Sequence, residues 1–404
     1  QDEAVVAVHG PRSVGKSTLL RRFAARRGVS VIDLDNPTVR DAAAASPAAA
    51  IGGPRPVCID EYQRVPDLLD AIKARLNAEG VVPGTAVLTG STRQDALPRA
   101  AQSLTGRLHA LVMLPLSQGE IAGVQEDFLT ALRADAASAV ATIPTSQTGR
   151  EEYAARLCAG GLPLALARQG AARNRWFDSY VSASVVRDAA ALAQVRQRQS
   201  LSGLLDLVAG RTAQVFNATA AASTLGVQRN TVEAHLRLLE DLFLVARLPA
   251  WGKTLNAKAT SRPKLHIVDS GLAARLQRIG PSKLATFDPA VLTGFGHLLE
   301  TFVAGELRKQ ASWLDEPLNT GHWRTSSGDE VDLVIEFEDG AVLAFEVKAA
   351  ERVGAADFRG LRRLRELLGK RFIAGAVLCL GGRSYTYEDR LHVMPVDRIW
   401  QPHS

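Results

Sequence analysis

Gly10-Pro11-Arg12-Ser13-Val14-Gly15-Lys16-Ser17 reads GPRSVGKS and lies between an apolar run at residues 4–9 (AVVAVH) and a helical stretch at residues 18–23. A G-x-x-x-x-G-K-[ST] sequence in a strand–loop–helix context is a phosphate-binding loop. Gly10 and Gly15 let the backbone curl so that its N–H groups face the α- and β-phosphates, and the helix beginning at Lys16 adds its positive end. Residues Gly10, Pro11, Arg12, Ser13, Val14, Gly15, Lys16, Ser17 and Thr18 are therefore expected to cradle a nucleoside triphosphate, ATP. Lys16 would reach the β- and γ-phosphates, and the Ser17 hydroxyl would hold Mg²⁺.

A second acidic element turns the loop toward hydrolysis. Residues 56–59 (PVCI) form a short buried-strand pattern that ends in Asp60-Glu61. Asp60 at a strand tip can bind Mg²⁺ through water, and Glu61 beside it can take a proton from the water that attacks the γ-phosphate. Another strand, 85–89, runs into Gly90-Ser91-Thr92 and brings hydroxyls to the same edge. They suit either orientation of the attacking water or capping of a helix.

At 404 residues, with 46% hydrophobic and 22% charged residues, the chain is expected to form two or three globular domains. No apolar run approaches the ~18–20 residues of a membrane span, and no signal-peptide pattern opens the sequence, so a cytoplasmic protein without membrane contact is expected. Cys58, Cys158 and Cys379 lack disulfide-like or metal-like spacing, which fits a reducing compartment. A net charge of +6 permits an acidic partner such as nucleic acid.

Apolar runs at 4–9, 29–34, 56–59, 85–89 and 109–114 alternate with helical stretches, which implies a parallel sheet covered by helices. The phosphate loop and Asp60-Glu61 would share its carboxyl edge. Residues 117–198 read as mainly helical, with a break at 143–149 that has the composition of an exposed loop. The Ala-rich stretch at 42–50 reads as plain helix.

Residues 220–244 (AAASTLGVQRNTVEAHLRLLEDLFL) give a short helix, a turn at Gly226 and a second helix with Val232, Leu236, Leu239 and Leu242 on one side. Arg229, Asn230 and Arg237 would form the polar face of this helix-turn-helix, and residues 245–251 the first strand of a wing. Such a unit is suited either to DNA contact or to packing, and Glu233 on the same helix repels phosphate. Lys253, Lys258, Arg262 and Lys264 would extend the basic surface.

A second constellation lies in 294–349. A helix at 297–310 carries Glu300; Gly328-Asp329-Glu330-Val331-Asp332 leads into a strand at 333–337; Asp339-Gly340 turns the chain; and 341–345 runs into Glu346-Val347-Lys348. Side chains alternate along a strand, so Glu346 and Lys348 share a face that Asp332 can meet from the paired strand. Asp332 and Glu346, with Glu300 and Lys348, would make an oxygen-ligand Mg²⁺ or Mn²⁺ site able to activate water for phosphodiester cleavage, or else surface ion pairs. Glu306, six residues beyond Glu300, faces another side of its helix.

Taken together, VHGPRSVGKSTLL, CIDEYQRVPDLL, LTGST, SLTGR, GGLPLAL, PKLHIVDSGLAARL and GDEVDLVIE…FEVKA resemble the AAA-type ATPases of bacteria and archaea that carry a C-terminal domain of unknown function. The C-terminal module is similar to the PD-(D/E)xK nuclease fold, especially the archaeal junction resolvases. The resemblance implies an α/β protein with a 5-1-4-3-2 parallel sheet, Lys16, Asp60 and Glu61 in their usual roles, Ser91 as polar sensor and Arg107 as an arginine finger acting across a homo-oligomer. The domains expected are an ATPase at 1–120, a helical connection at 121–198, a winged helix-turn-helix at 199–252 and a nuclease-like module at 253–404. That family usually carries a helix before its first strand; this chain opens at Gln1 almost on the strand, the pattern of a shortened start. The function expected is an Mg²⁺-dependent ATPase coupled to a DNA-binding, nuclease-like domain, the rival being an ATP-controlled switch whose C-terminal module only binds DNA or a protein.

Overall fold

The computed structural model describes residues 3–93, 104–141, 145–188, 198–252, 262–286 and 288–401. They fall into two compact units, one from the described residues within 1–115, 182–196 and 237–244, the other from those within 116–181, 197–236 and 245–404.

The first unit alternates β1 (Val5–His9), α1 (Lys16–Arg27), β2 (Val31–Asp33), α2 (Pro37–Ala45), β3 (Val57–Asp60), α3 (Asp67–Glu79), β4 (Ala86–Gly90) and β5 (Leu108–Val112). All neighbouring strands pair in parallel in the order β2-β3-β4-β1-β5, which is 5-1-4-3-2 read from the other edge. Helices cover both faces of the central strands, which is why they read as continuous apolar runs; Val5, Ala7, Ile59, Ala86 and Leu88 are fully buried. At the edge, β5 leaves Leu111 and Val112 exposed. The Asn36 side chain caps α2 through the amides of Thr38 and Val39, with Pro37 supplying the first helical φ.

The second unit includes α4 (Arg150–Ala159), α5 (Arg198–Gly210), β6 (Gln214–Val215), α6 (Ala218–Leu225), the first part of α7 (Arg229–Asp241), whose residues from Arg237 on belong to the first unit, β7 (Val245–Leu248) and β8 (Lys264–Ile267). Asn217 caps α6, and Gly226, at φ 64°, ends it in the left-handed conformation that needs no Cβ. Val232, Leu236 and Leu239 turn the apolar side of α7 inward. The strands β6, β8 and β7 pair antiparallel in that order. The break at 143–149 is exposed along most of its described part, at Thr145, Gln147 and Gly149, but it is pinned at Ser146, which is buried and whose hydroxyl donates to Asp397 at 2.5 Å. Ile143 and Pro144 lie outside the described residues.

After α8 (Ser270–Leu276) and the long α9 (Pro289–Ala311) come β9 (Asn319–Arg324), β10 (Glu330–Glu336), β11 (Val342–Lys348), α10 (Arg359–Leu368), β12 (Phe372–Cys379), β13 (Tyr385–Glu388) and β14 (Leu391–Pro395). They form a mixed sheet, β13-β14-β12-β11-β10-β9. β10 and β11 make the expected antiparallel hairpin, with Leu333 opposite Phe345, and Gly340 at φ 81° closes the turn. β11 then runs parallel to β12 through α10. Both hairpin strands are longer than expected, so that Asp332, Glu346 and Lys348 all lie within strands, Asp332 where the β9–β10 register shifts.

No helix among the described residues is long and apolar enough to cross a membrane. Cys58, Cys158 and Cys379 are buried and unbridged.

Candidate active site

β1 delivers the chain into the loop at the carboxyl edge of the first sheet, and the loop's backbone is what the glycines permit. Gly10 sits at φ 154°, where a Cβ would lie 2.1 Å from the Met113 carbonyl oxygen, so no other residue fits there without moving that segment. Ser13 (φ 64°) and Gly15 (φ 108°) complete the curl. α1 begins with Gly15 as its cap, no side chain on its first amides and no acidic residue in its first turn, leaving its positive end for an anion.

Lys16 is 5% exposed and folds back onto the loop, donating to the carbonyls of Gly10 at 2.8 Å and Pro11 at 2.7 Å. Burial pulls its ammonium down to about 8, against the opposing pull of Glu61 and Asp60. Ser17 and Thr18 stand at the start of α1, and Arg12 and Val14 lie in the loop before it.

Asp60 ends β3, is buried, and accepts a hydrogen bond from the Thr89 hydroxyl of β4. Glu61 follows in a left-handed conformation (φ 55°, ψ 43°) that swings its carboxylate toward β4. There its Oε2 accepts from the Ser91 hydroxyl at 3.0 Å and from the Gln63 amide, which also donates to Ser91 Oγ at 3.2 Å. The hydroxyl of Ser91 is thus spent on Glu61. Gln63 is not foreseen from the sequence; its one signal is its place two residues after Glu61 in a single-turn helix, Tyr62–Arg64. The His9 Nδ1–H donates to the Thr92 carbonyl at 2.7 Å, tying the ends of β1 and β4 together.

Arg107 is not brought to this site. β5 starts at Leu108 beside Val5, at the opposite end of β1 from the loop, and the Arg107 guanidinium donates to Asn77 at 2.6 Å. The parallel register therefore excludes it from the phosphates of its own chain.

In the second unit, the hairpin and α9 bring together the residues expected from sequence, but with an unforeseen member at their centre. Lys264 of β8, 3% exposed, donates to Glu300 at 2.7 Å, Glu330 at 2.8 Å and Asp332 at 2.8 Å. The other oxygen of Asp332 accepts the Val347 amide at 3.0 Å. Glu346 accepts from Lys348 at 2.8 Å. Burial and then the Asp332 charge push Glu346 up to about 8, and burial pushes Glu300 well above the carboxylate range. Burial disfavours the Lys264 ammonium, yet Asp332, Glu300 and Glu330 together hold it above an ordinary lysine. Among the described residues no three His, Cys, Asp or Glu side chains are arranged to hold a metal ion. The carboxylates here converge on an ammonium instead. Lys264, expected on a DNA-facing wing, is a core residue; alternation in β8 sets it on the face opposite Leu265 and Ile267, so its sequence neighbours do not signal its burial. Lys253 and Lys258 lie outside the described residues. Glu306 faces away, as its spacing required, accepting from the Gln118 amide and Lys309.

On α7, Arg229, Asn230 and Arg237 are exposed, and Arg229 lies 4.0 Å from Glu233, which offsets part of its charge.

Residues 2–122 match the model of a family described as AAA domain, residues 150–283 one described as a domain of unknown function (DUF8612), and residues 295–399 another domain of unknown function (DUF4143). Uncharacterized proteins of Mycobacterium bovis and Mycobacterium tuberculosis are each 26% identical over 398 residues, covering 98% of this chain and 80% of theirs. Among solved structures, the RuvB Holliday junction branch migration motor of Thermotoga maritima aligns at 18% identity and a TM-score of 0.27, over 61% of this chain and 82% of its own. Can2 of Sulfobacillus thermosulfidooxidans, in complex with cyclic tetra-adenylate, aligns at 10% identity and 0.20, over 99% and 97%. The family match at 2–122 agrees with the strand order and the loop: the chain contains an AAA-type P-loop domain.

Proposed function

We propose that the chain is a Mg²⁺-dependent ATP hydrolase whose nucleotide cycle controls a C-terminal module that engages DNA or a protein partner without cutting it. One observation carries the reading: Lys16, Asp60 and the Ser91–Glu61–Gln63 network converge at the carboxyl edge of a single parallel sheet. Lys16 exchanges two neutral carbonyl partners for the β- and γ-phosphates, and the amides of the loop and of α1 take the remaining oxygens. Ser17 and Asp60 suit Mg²⁺, a hydroxyl and a buried carboxylate on adjacent elements, and the ion would supply neutralisation of the phosphate charge. Glu61, oriented by Ser91 and Gln63, accepts the proton of the attacking water. Phosphate release by wild type, Lys16→Ala and Glu61→Gln tests this. Wild-type turnover in Lys16→Ala would remove the loop from the chemistry.

A second reading, a metal-dependent deoxyribonuclease, has in its favour that Asp332 and Glu346 lie on paired strands with Lys348 beside them. Incubation with Mg²⁺ or Mn²⁺ and single-stranded, duplex and branched DNA decides between the two; cleavage lost in Lys348→Ala would establish the nuclease. For DNA engagement the support is the exposed Arg229, Asn230 and Arg237 of α7.

A further inference from the structure

We infer that Lys264 is the built-in cation of the C-terminal carboxylate cluster, and that this cluster takes up no divalent metal in the native chain. The nuclease-like resemblance implies Mg²⁺ or Mn²⁺ between Asp332 and Glu346, and the residues present do not fit one. An ammonium has three N–H donors, and Lys264 has three carboxylate partners at 2.7–2.8 Å, from α9 and from two positions of β10. Its donor set is complete.

The acceptors are equally committed. Asp332 gives one oxygen to Lys264 and the other to the Val347 amide, so a cation that demands oxygen ligands at about 2.0–2.1 Å in octahedral array would have to share each of them with a donor already in place. One Glu346 oxygen is held by Lys348; the other, Oε2, is buried with no hydrogen-bond partner among the described residues. A lone oxygen is not a ligand set for a divalent ion.

Nor can the lysine step aside cheaply. Lys264 is fixed on β8, paired with Val215 on one side and Leu248 on the other, and is 3% exposed. Its head would have to leave three carboxylates at 2.7–2.8 Å. A divalent ion entering beside it would meet a like charge in a poorly solvated place. His266 and His322 nearby add no positive charge, because burial followed by the Lys264 charge pushes them down to about 3 and about 4.

The carboxylates themselves are the kind a metal would use, so the lysine is what keeps the cation site from existing. Removing its amine leaves Glu300, Glu330 and Asp332 clustered without a counter-charge, and a hard cation is the natural replacement. The test is Mn²⁺ titration of the nucleotide-free full chain, followed by calorimetry and by the electron paramagnetic resonance of free Mn²⁺. Wild type and Asp332→Asn/Glu346→Gln are expected to take up the same amount. Lys264→Ala is expected to gain one equivalent and a Mn²⁺-dependent rise in melting temperature, both lost in Lys264→Ala/Asp332→Asn. One equivalent bound by wild type and lost in Asp332→Asn/Glu346→Gln would overturn the inference, with no need of the lysine variant. A folded Lys264→Ala without the gain would overturn it as well. Should Lys264→Ala not fold without metal, refolding with Mn²⁺ is expected to restore it, and Lys264→Met, which keeps the aliphatic stem, serves as the second variant.

Discussion

Replacing Glu61 by glutamine isolates the proposed base from the scaffold that holds it. Glu61 Oε2 accepts from Ser91 at 3.0 Å and from Gln63. A glutamine of nearly the same size keeps an oxygen for both donors and needs no new backbone conformation, so what disappears is the capacity to take a proton. General-base assistance is worth roughly 10²–10⁴-fold, which at 1.36 kcal/mol per decade is about 2.7–5.4 kcal/mol of barrier. Glu61 also helps keep Lys16 charged, so the assay belongs at or below pH 7, on the acid side of the value of about 8 to which burial pulls that ammonium. Expected are a fall in steady-state phosphate release of that size and an ATP Kd within about threefold of wild type, roughly 0.65 kcal/mol. Ser91→Ala removes one hydrogen bond to a charged acceptor, worth about 1.5–3 kcal/mol, and should slow turnover by at most about 10–150-fold with binding intact. Turnover of Glu61→Gln within tenfold of wild type would refute the assignment. Parallel loss of binding and turnover would make Glu61 a structural residue.

Other outcomes follow from the same geometry. The Lys16 ammonium titrates near 8 in the free protein, and bound phosphates favour its charged form; ATP affinity should be level below pH 8 and fall toward tenfold per unit above it, and a level Kd from pH 6.5 to 9.5 would contradict this. Arg107 cannot reach the phosphates of its own chain, so Arg107→Ala should either leave turnover unchanged or lower it up to ~10³–10⁵-fold together with loss of its dependence on protein concentration; a large loss in a strictly monomeric protein would be inconsistent with the register of β5. If α7 contacts duplex DNA, Arg229→Ala/Arg237→Ala should flatten the log–log salt slope by about 0.9 for each phosphate no longer neutralised, whereas Lys264, enclosed by carboxylates, contributes nothing to that slope; an unchanged slope in the double variant makes α7 a packing element. The Glu126 carboxyl, pushed up to about 7 by burial, is neutral in the fold where it is ionised in the unfolded chain, so stability should decline as pH rises from about 4.5 to 7, and Glu126→Gln should remove that part of the decline in urea midpoints.

The nucleotide-binding half was legible because its signals are local. A glycine pattern, a lysine and an apolar run that ends in two acids are each contiguous in sequence, and parallel strands necessarily deliver them to one edge. Arg107 was misleading for the same reason: adjacency to a strand does not say which end of the sheet it occupies, and only the pairing of Leu108 with Val5 does. Asp332, Glu346 and Lys348 were legible from period-two alternation across a short hairpin. Lys264 was not, since it meets the cluster from a separate sheet, 36 residues before Glu300 and 68 before Asp332 in sequence. A basic residue in a four-residue strand reads as surface until its three partners are known.

The two buried lysines show why one site exchanges its partners while the other keeps them. Lys16 loses charge stability on burial because its direct partners are two neutral carbonyls, with Glu61 and Asp60 acting only through space. A triphosphate offers more than it currently has, so ligand binding is downhill for that side chain. Lys264 gains charge stability despite burial because its direct partners are three carboxylates. No anion offers more than these, and removing one partner of such a buried pair typically costs about 3–5 kcal/mol. The same residue type is therefore poised for exchange in the P-loop domain and locked in the C-terminal one. Under the proposed function, chemistry that turns over is expected at Lys16, and the C-terminal cluster is expected to serve as architecture.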